Sequence, residues 1–193
     1  MALSDPDSIH FDPLPPAGEK WRSFERKAIK LRKFAGLDQS RPLDPYQLAE
    51  LIRIKVVSLN DLKDLSEESR LHLSSSDNWS GGVTELLPDG TRIVIINHRH
   101  SRRRNAVTLM EEICHSILGH KPSIISQTNG RTYDRQIEEE AYSVGAAALV
   151  PYQALAEKLA KHETVKSIAG FFGVSVHLIE YRMRVLGLWK YDI

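Results

Sequence analysis

The residues best suited to chemistry in this 193-residue chain stand together in Thr108-Leu109-Met110-Glu111-Glu112-Ile113-Cys114-His115-Ser116-Ile117-Leu118-Gly119-His120. On an α-helix, positions four apart share a face, so Glu111 and His115 can aim an oxygen and a nitrogen at one point. A carboxylate and an imidazole that converge in this way suit a divalent metal ion. Glu112 is turned about 100° from Glu111 and is placed to move a proton beside that point. Leu109, Ile113 and Ile117 give the segment an apolar stripe, so it reads as a core-facing helix and not as a solvated one with incidental charges. Cys114, the single cysteine, reads as a small buried side chain and not as a thiolate ligand. His120 lies about 140° round from His115, beyond the helix stop at Gly119. It is poorly placed as a co-ligand and reads as a turn cap or as a substrate or transition-state contact at the mouth of a cleft.

The spacing is that of H-E-x-x-H, in which two histidines bind zinc and the glutamate between them acts as base toward an attacking water, with the first histidine changed here to Glu111. E-E-x-x-H alone is weak, because a glutamate four residues before a histidine is common on helices as a modest charge pair. A second segment strengthens it. Glu138-Glu139-Glu140-Ala141-Tyr142-Ser143-Val144-Gly145-Ala146-Ala147-Ala148-Leu149-Val150-Pro151 begins 23 residues after His115. It resembles the second signature of the ImmA/IrrE-type metallopeptidases, Glu-x-x-Ala followed by a small-residue helix and Leu-x-Pro. Ala28-Ile29-Lys30-Leu31-Arg32, Gly36-Leu37, Ile95-Ile96-Asn97, Arg104 and Thr108 extend the likeness over roughly residues 20 to 190.

The resemblance implies a zincin-like core in which His115, Glu138 and the substituted Glu111 hold the metal and Glu112 is the catalytic base. Glu139 and Glu140 are the alternatives to Glu138 if the register shifts. It also implies a cytoplasmic metalloendopeptidase whose substrate is a transcriptional repressor or another regulatory protein. Glu111 alters the electrostatics of such a site. Two carboxylates neutralise a divalent ion, which makes its water a poorer acid and moves preference from zinc toward manganese or ferrous iron without excluding zinc. Zinc is the first expectation, manganese or iron the alternatives, and a vestigial site holding no metal the third outcome. In that case the chain is a catalytically inactive regulator that binds protein or DNA.

The elements that must position these residues follow from periodicity. Trp21, Phe24, Ala28, Leu31 and Phe34 mark a first amphipathic helix stopped near Gly36. Asp44 before Pro45 marks the start of a second, with Leu48, Ala49, Leu51 and Ile52 as its apolar stripe. Segments at Ile54 to Leu59, Val83 to Leu87 and Ile93 to Ile96 read as strands, the last two joined by a turn at Pro88-Asp89-Gly90. Helices are expected again from Ala106 to Leu118, from about Tyr133 to Leu149, and from Tyr152 to Lys161, with two short ones between Thr164 and Leu188. The fold class is therefore α+β, with a small, mostly antiparallel three-stranded sheet packed against helices. The expected organisation is a flexible leader over 1–18, a metallopeptidase-like domain over 19–151 and a helical subdomain over 152–193.

Other features carry smaller expectations. Tyr133 is a candidate oxyanion contact, and Asn78 to Gly82 a candidate edge for an extended peptide. His98-Arg99-His100-Ser101-Arg102-Arg103-Arg104 reads as a solvated basic loop able to place positive charge near Glu111 and Glu112. Residues 168–179 resemble a helix-turn-helix whose second helix carries Arg182 and Arg184 as candidate nucleic-acid contacts, although packing against the rest of the protein is the stronger reading. The chain has 26 Lys and Arg against 25 Asp and Glu, so no whole-molecule field favours nucleic acid or an acidic membrane. No apolar run approaches the roughly 20 residues of a membrane span, and no membrane partner is expected.

Overall fold

The computed structural model describes residues 12–61, 67, 81–83, 88–120, 125–126, 130–131 and 134–191. Helix α1 (Glu19–Phe34) ends where Gly36 takes a left-handed φ of 70° and Leu37 N–H closes back on the Arg32 carbonyl, a turn that glycine enters without steric cost. Phe24, Ala28 and Leu31 face the core as their spacing predicts, but Phe34 is 60% exposed because it sits past the last buried turn. Helix α2 (Pro45–Leu51) starts at Asp44, whose carboxylate accepts the Tyr46 N–H at 2.9 Å. Leu48 and Ala49 of its stripe are buried, whereas Leu51 is exposed.

Strands β1 (Ile54–Ser58), β2 (Gly81–Val83) and β3 (Arg92–Ile96) form one sheet in the order β1-β3-β2. The α+β class holds, but the expected mostly antiparallel sheet does not. β1 and β3 pair in parallel over five residues, and only the shorter β2–β3 pairing is antiparallel. The reason lies in strand order. The β-branched run of β3 takes the central place, and the long stretch between β1 and β2 permits the crossover connection that a parallel partner requires. Val94, at the middle of β3, is fully buried. Residues 84–87 of the expected second strand lie outside the described residues.

Helix α3 (Arg102–Ile117) is capped by Ser101, whose hydroxyl accepts the Arg104 N–H at 3.3 Å. It begins four residues earlier than expected, so Arg102, Arg103 and Arg104 form its first turn and not a loop. Their charges oppose the helix dipole there, but all three are exposed, and Arg102 lies 3.7 Å from Asp44 and over the Tyr46 ring. Even the nearest, Arg104, is seven residues from Glu111, about 10 Å along the axis, roughly a Debye length. The three arginines of the first turn therefore stand about two turns or more from Glu111 along the helix.

A short pair, β4 (Ile125–Ser126) and β5 (Gly130–Arg131), precedes helix α4 (Arg135–Leu149). Asp134 caps α4, accepting the N–H groups of Gln136 and Ile137. The β4–β5 pair was not anticipated, although Asn129-Gly130 is a hairpin dipeptide. Helices α5 (Tyr152–Ala160), α6 (Val165–Phe172) and α7 (Val176–Leu186) complete the described fold, with Thr164 and Ser175 as side-chain caps and Gly173 at φ 68° ending α6. A single buried cluster takes residues from α1 through α7.

The contact that matters most for function is between α3 and α4. Ala141, Gly145 and Ala148 repeat at three and four residues along one face of α4, and α3 presents Leu109, Met110 and Ile113 as fully buried partners. A Cβ at Gly145 would stand 3.3 Å from Met110 Cγ and 3.4 Å from the Met110 carbonyl oxygen. The two backbones are close because residue 145 has no side chain. Gly145→Leu is expected to cost about 1–3 kcal/mol through overpacking, read as a lowered urea midpoint with an unchanged slope.

Candidate metal centre

Each side chain of the site has a structural reason for its position. Glu111 and His115 lie one turn apart on α3, with the buried residues Met110, Ile113 and Cys114 fixing which face turns outward. Glu138 opens α4, two turns before Gly145 on the same face, so the close helix contact delivers it opposite His115. His115 Nε2 is 3.5 Å from Glu138 Oε2, with the two side chains only 15% and 17% exposed. Among the described residues, Glu111, His115 and Glu138 bring one donor atom each within 4.8 Å of one another. Two carboxylate oxygens and one imidazole nitrogen match the mixed donor set of zinc, manganese or ferrous iron. Three protein donors also leave room for water or substrate.

The neighbouring acids of α4 go elsewhere, as steps of about 100° per residue require. Glu139 faces Lys20 at 2.5 Å, and Glu140 pairs with Lys27, both lysines on α1. Burial pushes Glu140 upward, but the Lys27 ammonium and the His120 ring more than offset it and hold the carboxyl below its ordinary range. Of the three register alternatives, only Glu138 reaches the group.

Glu112 follows Glu111 on α3 and is half-buried. Its backbone carbonyl accepts the Ser116 hydroxyl at 3.1 Å. Cys114 is 1% exposed, and burial, reinforced by the charge of Glu111, pushes its thiol far up; it stands outside the converging group. Tyr142, one turn after Glu138 on α4, has its phenol raised to about 12 by burial first, then by Tyr181 and Glu111. Its ring stands edge-on to Tyr181 at 5.1 Å, and the Tyr181 hydroxyl is 3.1 Å from Ser143. This phenol pair was not anticipated from the sequence, since Tyr142 reads there as one more large residue in a small-residue helix. Tyr133 lies outside the described residues.

His120 does not simply cap the turn. Its Nδ1 is 3.2 Å from His115 Nδ1 and its Nε2 is 3.3 Å from Glu140 Oε2, while its N–H bonds the His115 carbonyl. It touches His115 on the nitrogen turned away from Glu138.

The residues flagged for nucleic acid separate. Arg182 is 2% exposed and its guanidinium donates to Glu25 at 2.6 Å and to the Val150 carbonyl at 3.0 Å. The expected nucleic-acid contact is therefore corrected to an internal one, because a guanidinium spent on buried acceptors cannot reach a phosphate. Arg184 remains exposed beside Tyr181. Among the described residues, no helix is long and apolar enough to cross a membrane.

The model of the M78 peptidases, described as an IrrE N-terminal-like domain, matches residues 53–184. The chain belongs to this family. The match to the M78 peptidases takes in α3 and α4 and thus all three converging donors, and it starts after α1 and α2. A similar solved structure is that of a Mycobacterium tuberculosis transcriptional regulator, at 16% identity and a TM-score of 0.51, over 84% of this chain and 46% of that one. This M78-family chain thus spans about half the length of that protein, and the likeness is one of fold. No curated protein matches the chain.

Proposed function

We propose that the chain is a metal-dependent endopeptidase that cuts a regulatory protein, with a transcriptional repressor as the expected substrate. The observation carrying this reading is the convergence of Glu111, His115 and Glu138 from two helices, with Glu112 next to them on α3. A divalent ion held by these three would act as a Lewis acid toward a peptide carbonyl and toward water. Glu112 then accepts a proton from the water as its oxygen bonds to the carbonyl carbon, and passes it to the amide nitrogen as the C–N bond breaks. Substrate can enter along β2, the outer strand of the sheet next to α3, where an extended peptide adds through its backbone. The repressor assignment rests on membership of the family.

Elemental mass spectrometry of gently purified protein tests the metal. Near-stoichiometric metal is expected in the wild type, lost in His115→Ala and in Glu138→Ala. Glu111→His restores the two-histidine set and is expected to favour zinc. A metal-free wild type that gains metal only with Glu111→His would overturn the enzyme reading in favour of a fold kept for binding. The single feature favouring that second reading is Glu111 itself, which leaves a divalent ion with no net charge to acidify water.

A further inference from the structure

We infer that His120 is a positioning residue, which with Glu140 and Lys27 fixes the ring orientation of His115 and accepts its Nδ1 hydrogen when Nε2 binds a metal. This rests on the metal reading above and deepens it. The contacts run in one line. His115 turns Nε2 toward Glu138 at 3.5 Å and Nδ1 toward His120 Nδ1 at 3.2 Å. His120 turns its other nitrogen to Glu140 Oε2 at 3.3 Å, and the second oxygen of Glu140 pairs with Lys27.

Only one arrangement of protons makes every link a hydrogen bond while leaving His115 Nε2 bare for a metal. His115 must carry its hydrogen on Nδ1 and donate to His120 Nδ1. His120 must then carry its own on Nε2 and donate to Glu140, whose carboxylate accepts at both oxygens. The direction is set from the far end, because Lys27 can only donate and an ionised Glu140 can only accept. In water a free imidazole favours hydrogen on Nε2, the form in which His115 could not bind through that atom. When a metal takes Nε2, the chain of contacts therefore receives the hydrogen that must then sit on Nδ1, a role commonly filled in metal sites by a carboxylate or a carbonyl behind the histidine.

The elements give this line its rigidity. His120 follows the left-handed Gly119 (φ 72°), which ends the α3 turn and folds the imidazole back on His115, with the rings edge-on at 5.1 Å. The His120 side chain is 8% exposed. Glu140 belongs to α4 and Lys27 to α1, so three helices meet behind one ligand. Lys27 and α1 precede the stretch that matches the family model.

Cobalt titration reads affinity, and nitrogen-15 NMR of zinc-loaded protein reads which nitrogen of His115 the metal takes. The wild type is expected to bind through Nε2, with hydrogen on Nδ1. His120→Ala is expected to weaken cobalt binding by about 10–100-fold and to let zinc bind His115 through either ring nitrogen. His120→Asn, which keeps an acceptor near the same place, is expected to restore most of both. Glu140→Ala is expected to move them in the same direction by less, and it tests the same line of contacts if His120→Ala does not fold. Unchanged cobalt affinity with unchanged binding through Nε2 in folded His120→Ala would overturn the inference. A wild type that binds neither cobalt nor zinc would overturn the metal reading, and the inference with it.

Discussion

Arg182→Met is expected to lower the stability of the protein by about 3–5 kcal/mol, the usual cost of stranding one partner of a buried ion pair. For a domain whose whole stability is about 5–15 kcal/mol, much of the chain would be unfolded at moderate temperature. The size of the effect comes from what the guanidinium holds. It meets Glu25 of α1 at 2.6 Å and the Val150 carbonyl at the end of α4, while the other oxygen of Glu25 accepts the Tyr152 N–H at the start of α5. Removing Arg182 leaves a carboxylate 1% exposed without its counter-charge. Glu25→Met with Arg182→Met is expected to recover part of the loss and not all of it, because the Val150 carbonyl loses its bond from Arg182 and the Tyr152 N–H its bond to Glu25. Urea unfolding of the two single variants and the double variant measures this. A destabilisation below about 1 kcal/mol in both single variants would show that the pair is not structural.

Glu112→Gln is expected to lower peptide hydrolysis by about 10²–10⁴-fold, the range for loss of a positioned general base, with metal content and melting temperature unchanged. The amide is close in shape to the carboxylate but cannot take a proton. Glu111→Gln should behave differently, since it removes a ligand and lowers metal occupancy along with rate. The contrast between adjacent positions separates base from ligand. If Glu112→Gln kept full activity while Glu111→Gln lost it, Glu112 would not be the base. Cleavage of a reporter peptide or repressor fragment under single-turnover conditions, with metal measured in the same samples, distinguishes the cases.

Glu111 and His115 of the converging group were legible in the sequence because they are one turn apart. Glu138 was legible only through the likeness to the family's second signature. The small residues of that signature explain why this third donor arrives, since Ala141 and Gly145 let α4 close on α3. The helix ends were legible for a similar reason: Asp44, Ser175, Gly36 and Gly173 act within a few residues of themselves. What stayed hidden was set by pairings between distant segments. Glu25 and Arg182 are 157 residues apart, and a charged residue on a helix reads as solvated until its partner is known. The direction of β1 could not be read, because strand order depends on which strand takes the centre of the sheet. His120 was judged by its angle on an ideal helix, and Gly119 breaks that helix before His120 is reached.

The glycine at 145 also bears on which ions the protein can distinguish. Glu138 lies two turns before it, so the separation of α3 and α4 at Gly145 also governs how far Glu138 stands from His115. Two helices propped apart by long side chains can breathe and adapt their grip to ions of different radius. Two helices resting backbone against side chain, as Gly145 rests on Met110, have little such play, because interiors packed to this density resist compression. For a metal held by the three donors, the gap would work as a calliper of fixed opening, and discrimination by ionic size would be written into a residue that never touches the ion.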